Sequence, residues 1–279
     1  MECVWITGAG GLIGHQLAAQ APAHFPRARI RALTRSDFDL LDFSAVARAF
    51  AEDHPSLVIH CAAISRSPDC QADPRRAHAA NVDVTHHLAQ LAAENSFVFF
   101  STDLVFDGRQ GNYVETDPVH ALSVYAETKV AAETLVAGHP RHTIIRTSLN
   151  YGKSPSGRRA FNEEMAAAWR EGRTLRFFED EFRSPLAAGV TARAVLELAA
   201  QGKTGIYHVA GCERLSRWDL GRLVADRHPE LQPRLEKTSL RDYSGAPRSP
   251  DTSLNTSKAQ QFLSFPLPRF TDWLNRHRD

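Results

Sequence analysis

A chain of 279 residues with 33 Lys and Arg against 32 Asp and Glu carries a formal charge of +1, which excludes a nucleic-acid binder driven by bulk basicity and a long acidic tail. With 43% apolar residues, 16 Gly and 15 Pro it is globular in composition, long enough for about two domains, and needs no disulfide or metal to hold its core. Cys3, Cys61, Cys70 and Cys212 form no CxxC pair, no apolar run reaches bilayer length, and a reduced, cytoplasmic protein without signal segment or membrane span is expected.

Cys3 to Thr7 (CVWIT) reads as a buried strand, and Leu12 to Ala19 as a helix that opens after glycines. Arg29 to Thr34 is a second strand, Ser44 to Asp53 a helix, and Leu57 to Cys61 a third strand. A long Ala-rich helix over Pro74 to Glu94 precedes a strand at Phe97 to Ser101, a helix at Ser123 to Ala137 and a strand at Thr143 to Thr147. Strands without polar alternation, separated by helices, specify a parallel sheet covered on both faces, so the fold class is α/β, a Rossmann-like doubly wound sheet. After Tyr151 the character changes. The loop GKSPSGRR leads to a helix at Ala160 to Glu171 and a short strand at Leu175 to Phe178. A helix near Ala192 to Ala200, a strand at Ile206 to Val209, a helix at Trp218 to Arg227 and a Pro-rich closing segment follow. Residues 1–150 are expected to form the sheet domain, joined again by about 187–204, and 151–279 mainly a smaller α/β substrate lobe, with Trp218 and Trp273 packing it.

Gly8, Gly11 and Gly14 follow the first strand and start a helix in the spacing GxxGxxG. That spacing lets the backbone turn sharply, approach a pyrophosphate and aim the N–H groups of a helix N-terminus at it. Gly8, Gly11, Leu12, Ile13 and Gly14 are therefore expected to bind a dinucleotide. The second strand ends at Leu33-Thr34-Arg35-Ser36. Arginine at this point accommodates the 2′-phosphate of NADP, where a carboxylate would hold the ribose of NAD. Arg35 and Ser36 point to NADPH, with Asp37 nearby keeping NADH as the alternative.

Tyr125 and Lys129 lie four apart on one predicted helix and share a face. A free phenol has a pKa of about 10, and a neighbouring ammonium, joined by an oxidised nicotinamide, is expected to lower it and make Tyr125 a usable general acid. Ser101-Thr102-Asp103 stands at the C-terminal end of an apolar strand, where open α/β sheets bind ligands. Thr102 is expected to hydrogen-bond a substrate carbonyl, with Ser101 its rival. Thirteen histidines make no HxxxH pair, so no metal site is expected.

On these residues the sequence resembles the extended short-chain dehydrogenase/reductase superfamily and, within it, the dTDP-4-dehydrorhamnose reductase family. The resemblance is carried by GAGGLIG at 8–14, Asp39-Leu40, HCAA at 60–63, Asn81-Val82, STDLVFDG at 101–108, YAETK at 125–129 and RTS at 146–148. It extends through GIYHVAG at 205–211 and RSPDTSLNTSK at 248–258. It implies NADPH-dependent reduction of a keto group on a nucleotide-linked deoxysugar. It further implies that Gly11, Leu12 and Ile13 touch the cofactor diphosphate, Asp39 and Leu40 the adenine side, and Cys61, Ala62 and Ala63 the nicotinamide-side ribose. Thr102 and Asp103 would meet the sugar, Tyr125 would donate the proton, and Lys129 would hold both tyrosine and cofactor ribose, with Asn81 in support.

The chain departs from the family pattern at Leu104, where a tyrosine is usual, at Leu149, where an aromatic commonly holds thymine, and at DEFRSP (180–185) in place of DQxGxPT. Losing an aromatic platform removes about 1 kcal/mol of stacking. A substrate diphosphate calls for cations, for which Lys153, Arg158, Arg159, Arg183 and Arg248 are candidates. The partner expected is thus a small nucleotide sugar, without nucleic acid or membrane, and a homodimer is compatible with the chain. Two other readings are a non-catalytic cofactor-binding regulatory subunit, similar to the beta subunit of methionine adenosyltransferase, and a nucleotide-sugar epimerase or dehydratase.

Overall fold

Successive strand residues point to opposite faces, so a strand apolar at every position needs cover on both sides. The computed structural model, which describes residues 3–277, supplies that cover. Its first part runs β1 (Cys3–Thr7), α1 (Leu12–His24), β2 (Arg29–Leu33), α2 (Phe43–Asp53), β3 (Leu57–His60), α3 (Ser67–Ala72), α4 (Pro74–His78), a π-helical turn (Ala79–Asp83), α5 (Val84–Leu91), β4 (Ser96–Thr102), α6 (Val124–Ala137) and β5 (His142–Thr147). There follow β6 (Asn150–Tyr151), α7 (Phe161–Arg170), β7 (Thr174–Phe178), β8 (Phe182–Arg183), β9 (Leu186–Ala187), α8 (Ala188–Ala200) and β10 (Gly205–His208). The chain closes with β11 (Leu215–Ser216), α9 (Arg217–Ala225), β12 (Arg234–Thr238), α10 (Ser257–Gln260) and α11 (Phe270–Arg276).

Six strands form a parallel sheet in the order β10-β5-β4-β3-β1-β2. The chain steps outward from β1 to β2 and then returns to the other side of β1 with β3, so the topological switch point, where such sheets bind ligands, lies between β1 and β3. Val4, Ile6, Leu57, Ile59 and Val98 pack on one face against α1 and α8. Trp5, Val58, Phe97 and Phe99 pack on the other against α2, α5 and α6. A separate core of Tyr151, Met165, Trp169, Phe177, Val224 and Phe270 gathers α7, α9 and α11, with Trp218 and Trp273 at its edge. Among the described residues no helix is long and apolar enough to cross a membrane.

Three sequence expectations are corrected here. The single helix expected over Pro74 to Glu94 is α4, a π-turn and α5, preceded by the unanticipated α3. Asp73, extended at φ −140°, accepts from the Arg76 amide at 3.0 Å and caps α4, and Pro74 following it forbids continuity with α3. α1 runs to His24, beyond the expected Ala19, with Pro22 in its last turn. The lobe also holds β6, β8, β9 and β11, two-residue strands too short to show periodicity, and β12, which pairs parallel with β7.

Candidate active site at the switch point

The site begins with the turn that leaves β1. Gly8 has φ +70°, and a Cβ there would lie 2.8 Å from the Ala62 amide nitrogen, so the loops after β1 and β3 meet at a residue that has no side chain. A Cβ on Gly14 would lie 2.3 Å from the Gly8 carbonyl oxygen, which is how α1 comes to seat against the turn. Gly11, the N-cap of α1, makes no side-chain bond, and the first turn holds no acidic residue. Its amides are thus available to an anion, and this cradle fits a dinucleotide pyrophosphate. Gly14→Ala is expected to destabilise the protein by about 1–3 kcal/mol through overpacking. It should also weaken dinucleotide binding about ten-fold or more, as read by thermal unfolding and fluorescence titration.

At the end of β2 the Asp37 carboxylate accepts from the Thr34 amide at 2.8 Å and the Thr34 hydroxyl at 3.0 Å. The acid that had kept NADH open is therefore engaged in its own turn. Arg35 and Ser36 are exposed, and Arg35 makes no ion pair among the described residues. Asp39 is exposed and accepts from the Leu41 amide at 3.0 Å, while Leu40 packs on the Trp5 face of the sheet. Cys61 and Ala62 are half-buried beside the Gly8 turn, and Ala63 is exposed.

Ser123 caps α6 by accepting from the Ala126 amide at 3.3 Å, which sets Tyr125 and Lys129 one turn apart. The Asn81 carboxamide, on the π-turn, fixes this helix to the loop after β3: Oδ1 accepts from the Ile64 amide at 2.8 Å, and Nδ2 donates to the Ile64 carbonyl and the Thr128 hydroxyl, each at 3.0 Å. A π-turn is how a helix presents one residue off its regular face, and such turns recur at functional sites. Thr102 ends β4. Its hydroxyl accepts from the Leu104 amide at 3.2 Å, a helix-cap contact, and donates to Asp103 Oδ1 at 3.2 Å, and it lies close enough to the Tyr125 phenol to lower its pKa. The neighbouring Ser101 hydroxyl is buried without a partner among the described residues.

Lys129 is 3% exposed, and its Nζ stands 4.0 Å from the centre of the Phe99 ring. Burial pushes its pKa down to about 7 against the pull of the Glu133 carboxylate. His60, between the Thr7 and Thr85 hydroxyls, is held neutral by burial and by the Lys129 charge, with a pKa of about 3. Without cofactor, the Lys129 ammonium alone does not acidify Tyr125. Burial and then the Asp103 carboxylate push the phenol above the ordinary tyrosine range, and the Thr102 hydroxyl only partly opposes them. Lys129 sits over Phe99, farther into the sheet, and does not offset these effects.

A charged layer from the second part of the chain covers this end of β4. Asp103 Oδ2 accepts from the Ser148 hydroxyl at 2.7 Å and the Thr252 hydroxyl at 2.9 Å, and lies 3.8 Å from Arg183 Nε. The Asp103 carboxylate is thus turned into the protein, tying β4 to β5 and to the closing segment. Arg183, expected as a free cation for substrate, is instead 5% exposed. It donates to the Phe182 and Ser249 carbonyls at 2.6 and 3.0 Å and to Glu181 at 2.9 Å, which leaves little for a ligand. Arg248 clasps Glu181 through Nε and Nη2 at 2.6 and 3.0 Å while its outer side stays open. Burial would raise the Glu181 carboxyl, but Arg248 and Arg183 hold it below the usual carboxylate range. Sequence reasoning missed Glu181 as the hub of this layer, and missed Arg217, brought beside it by the pairing of β11 with β8.

Other candidates fall elsewhere. Leu149 is half-buried against the lobe core, with no aromatic at its position. Lys153 lines a cavity of about 230 Å³ with Asn162, Glu163, Arg170 and His228, and Arg158 and Arg159 are exposed. A larger groove of about 460 Å³ near Phe265, Pro266 and Trp273 contains neither the glycine turn nor the tyrosine.

This arrangement matches a known family over its whole length, the RmlD substrate binding domain family, at residues 1–278. The chain belongs to the RmlD substrate binding domain family. A dTDP-4-dehydrorhamnose reductase of Mycobacterium tuberculosis (strain ATCC 25618 / H37Rv) is 33% identical over 266 residues, 91% of this chain and 85% of the relative. Among solved structures, a hypothetical dTDP-4-dehydrorhamnose reductase from Sulfolobus tokodaii superposes with a TM-score of 0.84 at 28% identity, covering 98% of each chain. The Bacillus anthracis dTDP-4-dehydrorhamnose reductase in complex with NADP has the same fold, with a TM-score of 0.89 at 23% identity over 99% of this chain and 98% of that one. Within this RmlD-type frame the glycine turn, Thr102, Tyr125 and Lys129 lie around one end of the sheet.

Proposed function

We propose that this protein reduces the keto group of a nucleotide-linked 4-keto deoxysugar of the dTDP-4-dehydrorhamnose type, using NADPH. The observation that carries the reading is the nearness of the Thr102 hydroxyl to the Tyr125 phenol at the ligand-binding end of β4, in a chain of this family. The amides at the start of α1, above Gly8, Gly11 and Gly14, hold the pyrophosphate, and Arg35 with Ser36 meets the 2′-phosphate. Asp39, Leu40, Cys61, Ala62 and Ala63 line the remainder of the cofactor crevice. Bound reduced nicotinamide supplies the hydride.

The chain's own residues supply orientation and the proton. Thr102 donates to the substrate carbonyl oxygen, polarising it, and the protonated Tyr125 phenol transfers its proton to that oxygen as charge develops there. A phenol held above its ordinary range stays protonated at neutral pH, the form needed in the direction of reduction. Lys129 holds a proton near the cofactor ribose. Asp103 accepts the Thr102 hydroxyl hydrogen until the substrate carbonyl takes its place, and Asn81 fixes the spacing between α6 and the loop after β3.

Purified protein mixed with NADPH and dTDP-4-keto-6-deoxysugars is expected to consume NADPH, seen as falling absorbance of the reduced nicotinamide. No consumption with any nucleotide-linked ketone rejects the reading. Copurified NAD that resists dialysis favours an epimerase or dehydratase instead.

A further inference from the structure

Three guanidinium groups, Arg183, Arg217 and Arg248, face two carboxylates, Glu181 and Asp103, at the covered end of β4. Two of the three arginines are occupied. Arg183 is spent on two carbonyls and Glu181, and Arg248 makes its bidentate pair with the same carboxylate. Arg217 is different. Its backbone amide is anchored on the Glu181 carbonyl at 2.8 Å, yet its guanidinium makes no hydrogen bond and no ion pair among the described residues. Arg214 and Asp251 neutralise each other at 2.6 Å. One positive charge of the layer therefore lacks a counter-ion, on a side chain that is only partly exposed.

We propose that Arg217 is the residue that binds the anionic group of the substrate, a nucleoside diphosphate linkage, and that Glu181 positions it by occupying Arg183 and Arg248. The inference rests on the reductase reading above and assigns that site its anion-recognising residue. Asp103 is the shared neighbour: its charge reaches both the Tyr125 phenol and Arg217, which puts the proposed phosphate site on the same side of β4 as the reacting hydroxyls. Burial lowers the Arg217 pKa to about 10, which leaves it fully charged at neutral pH. Its five fixed donors match two phosphate oxygens at once.

The test is calorimetric titration of the NADPH-loaded protein with dTDP, alongside steady-state kinetics on the dTDP-linked ketone. Arg217→Leu is expected to weaken dTDP binding about 10- to 100-fold and to raise KM by a similar factor, with kcat at saturation and NADPH affinity unchanged. Arg217→Lys should recover part of the loss. Because no internal bond is removed, the melting temperature of Arg217→Leu should not fall, whereas Arg248→Leu, which strips Glu181 of its bidentate partner, should lower it. Wild-type turnover together with an Arg217→Leu variant that binds dTDP as tightly as wild type overturns the inference and leaves the reductase reading standing. A wild type that neither binds dTDP nor consumes NADPH overturns both.

Discussion

Tyr125→Phe is expected to reduce kcat for ketone reduction about 10²- to 10⁴-fold while NADPH affinity changes little, because the variant loses only the proton that must reach the substrate oxygen. The phenol hydroxyl is an acidic hydrogen placed beside Thr102 at the end of β4. His60 is sealed between two threonine hydroxyls with a pKa of about 3, and Asp103 is committed to Ser148 and Thr252. Stability should move by only about 1 kcal/mol, since a single hydroxyl is lost and the ring remains. Stopped-flow or steady-state NADPH oxidation reads the effect directly. Activity within a few-fold of wild type would remove Tyr125 from the mechanism.

Lys129→Met should do two opposite things. In the cofactor-free protein the Lys129 pKa falls from 10.5 to about 7 because the ammonium is buried over Phe99. Between those values the unfolded chain binds more protons than the folded one, so this residue makes stability rise with pH through the window. At pH 7 and below the buried charge carries its whole penalty, and above pH 10.5 it carries none. Methionine removes the penalty while filling much the same space. The variant is expected to be more stable than wild type by an amount on the order of 1–5 kcal/mol at pH 6, a gain that shrinks steadily from pH 7 toward pH 10.5. Activity should fall about 100-fold or more, because the proton held near the ribose and the tyrosine is gone. Thermal melts of both proteins across this pH range give the first result, and NADPH oxidation the second. A variant less stable than wild type at low pH would show that the lysine charge is satisfied in the fold. A gain in stability paired with a loss of function is what a strained catalytic group predicts.

The sheet was legible because its strands are apolar without alternation and its helices intervene at regular length, as CVWIT, LVIH and SFVFFST show. The glycine turn was legible for a stronger reason: the structure gives Gly8 a positive φ and allows Gly14 no side chain, so the residue type is dictated by geometry. The pair Tyr125 and Lys129 followed from helical spacing. Their electrostatics did not, because burial and the position of Asp103 are tertiary facts, and without cofactor they push the phenol up. The π-turn carrying Asn81 leaves no periodic mark in a five-residue stretch of AANVD. Arg217 was hidden in the same way. Nothing in LSRWDL separates it from an ordinary surface cation until β11 pairs with β8 and sets it beside Glu181. Arg183 shows the converse, a cation chosen for its charge that the fold uses internally.

The bond from Thr252 to Asp103 spans 149 residues, and it sets an order of events during synthesis. At ribosomal speeds of about 5–20 residues per second, roughly 7–30 s separate the emergence of the two partners. The strands and glycine turn that cradle the dinucleotide are complete long before that contact can close. A nascent chain thus completes the glycine turn and the first strands before Asp103 can meet Thr252.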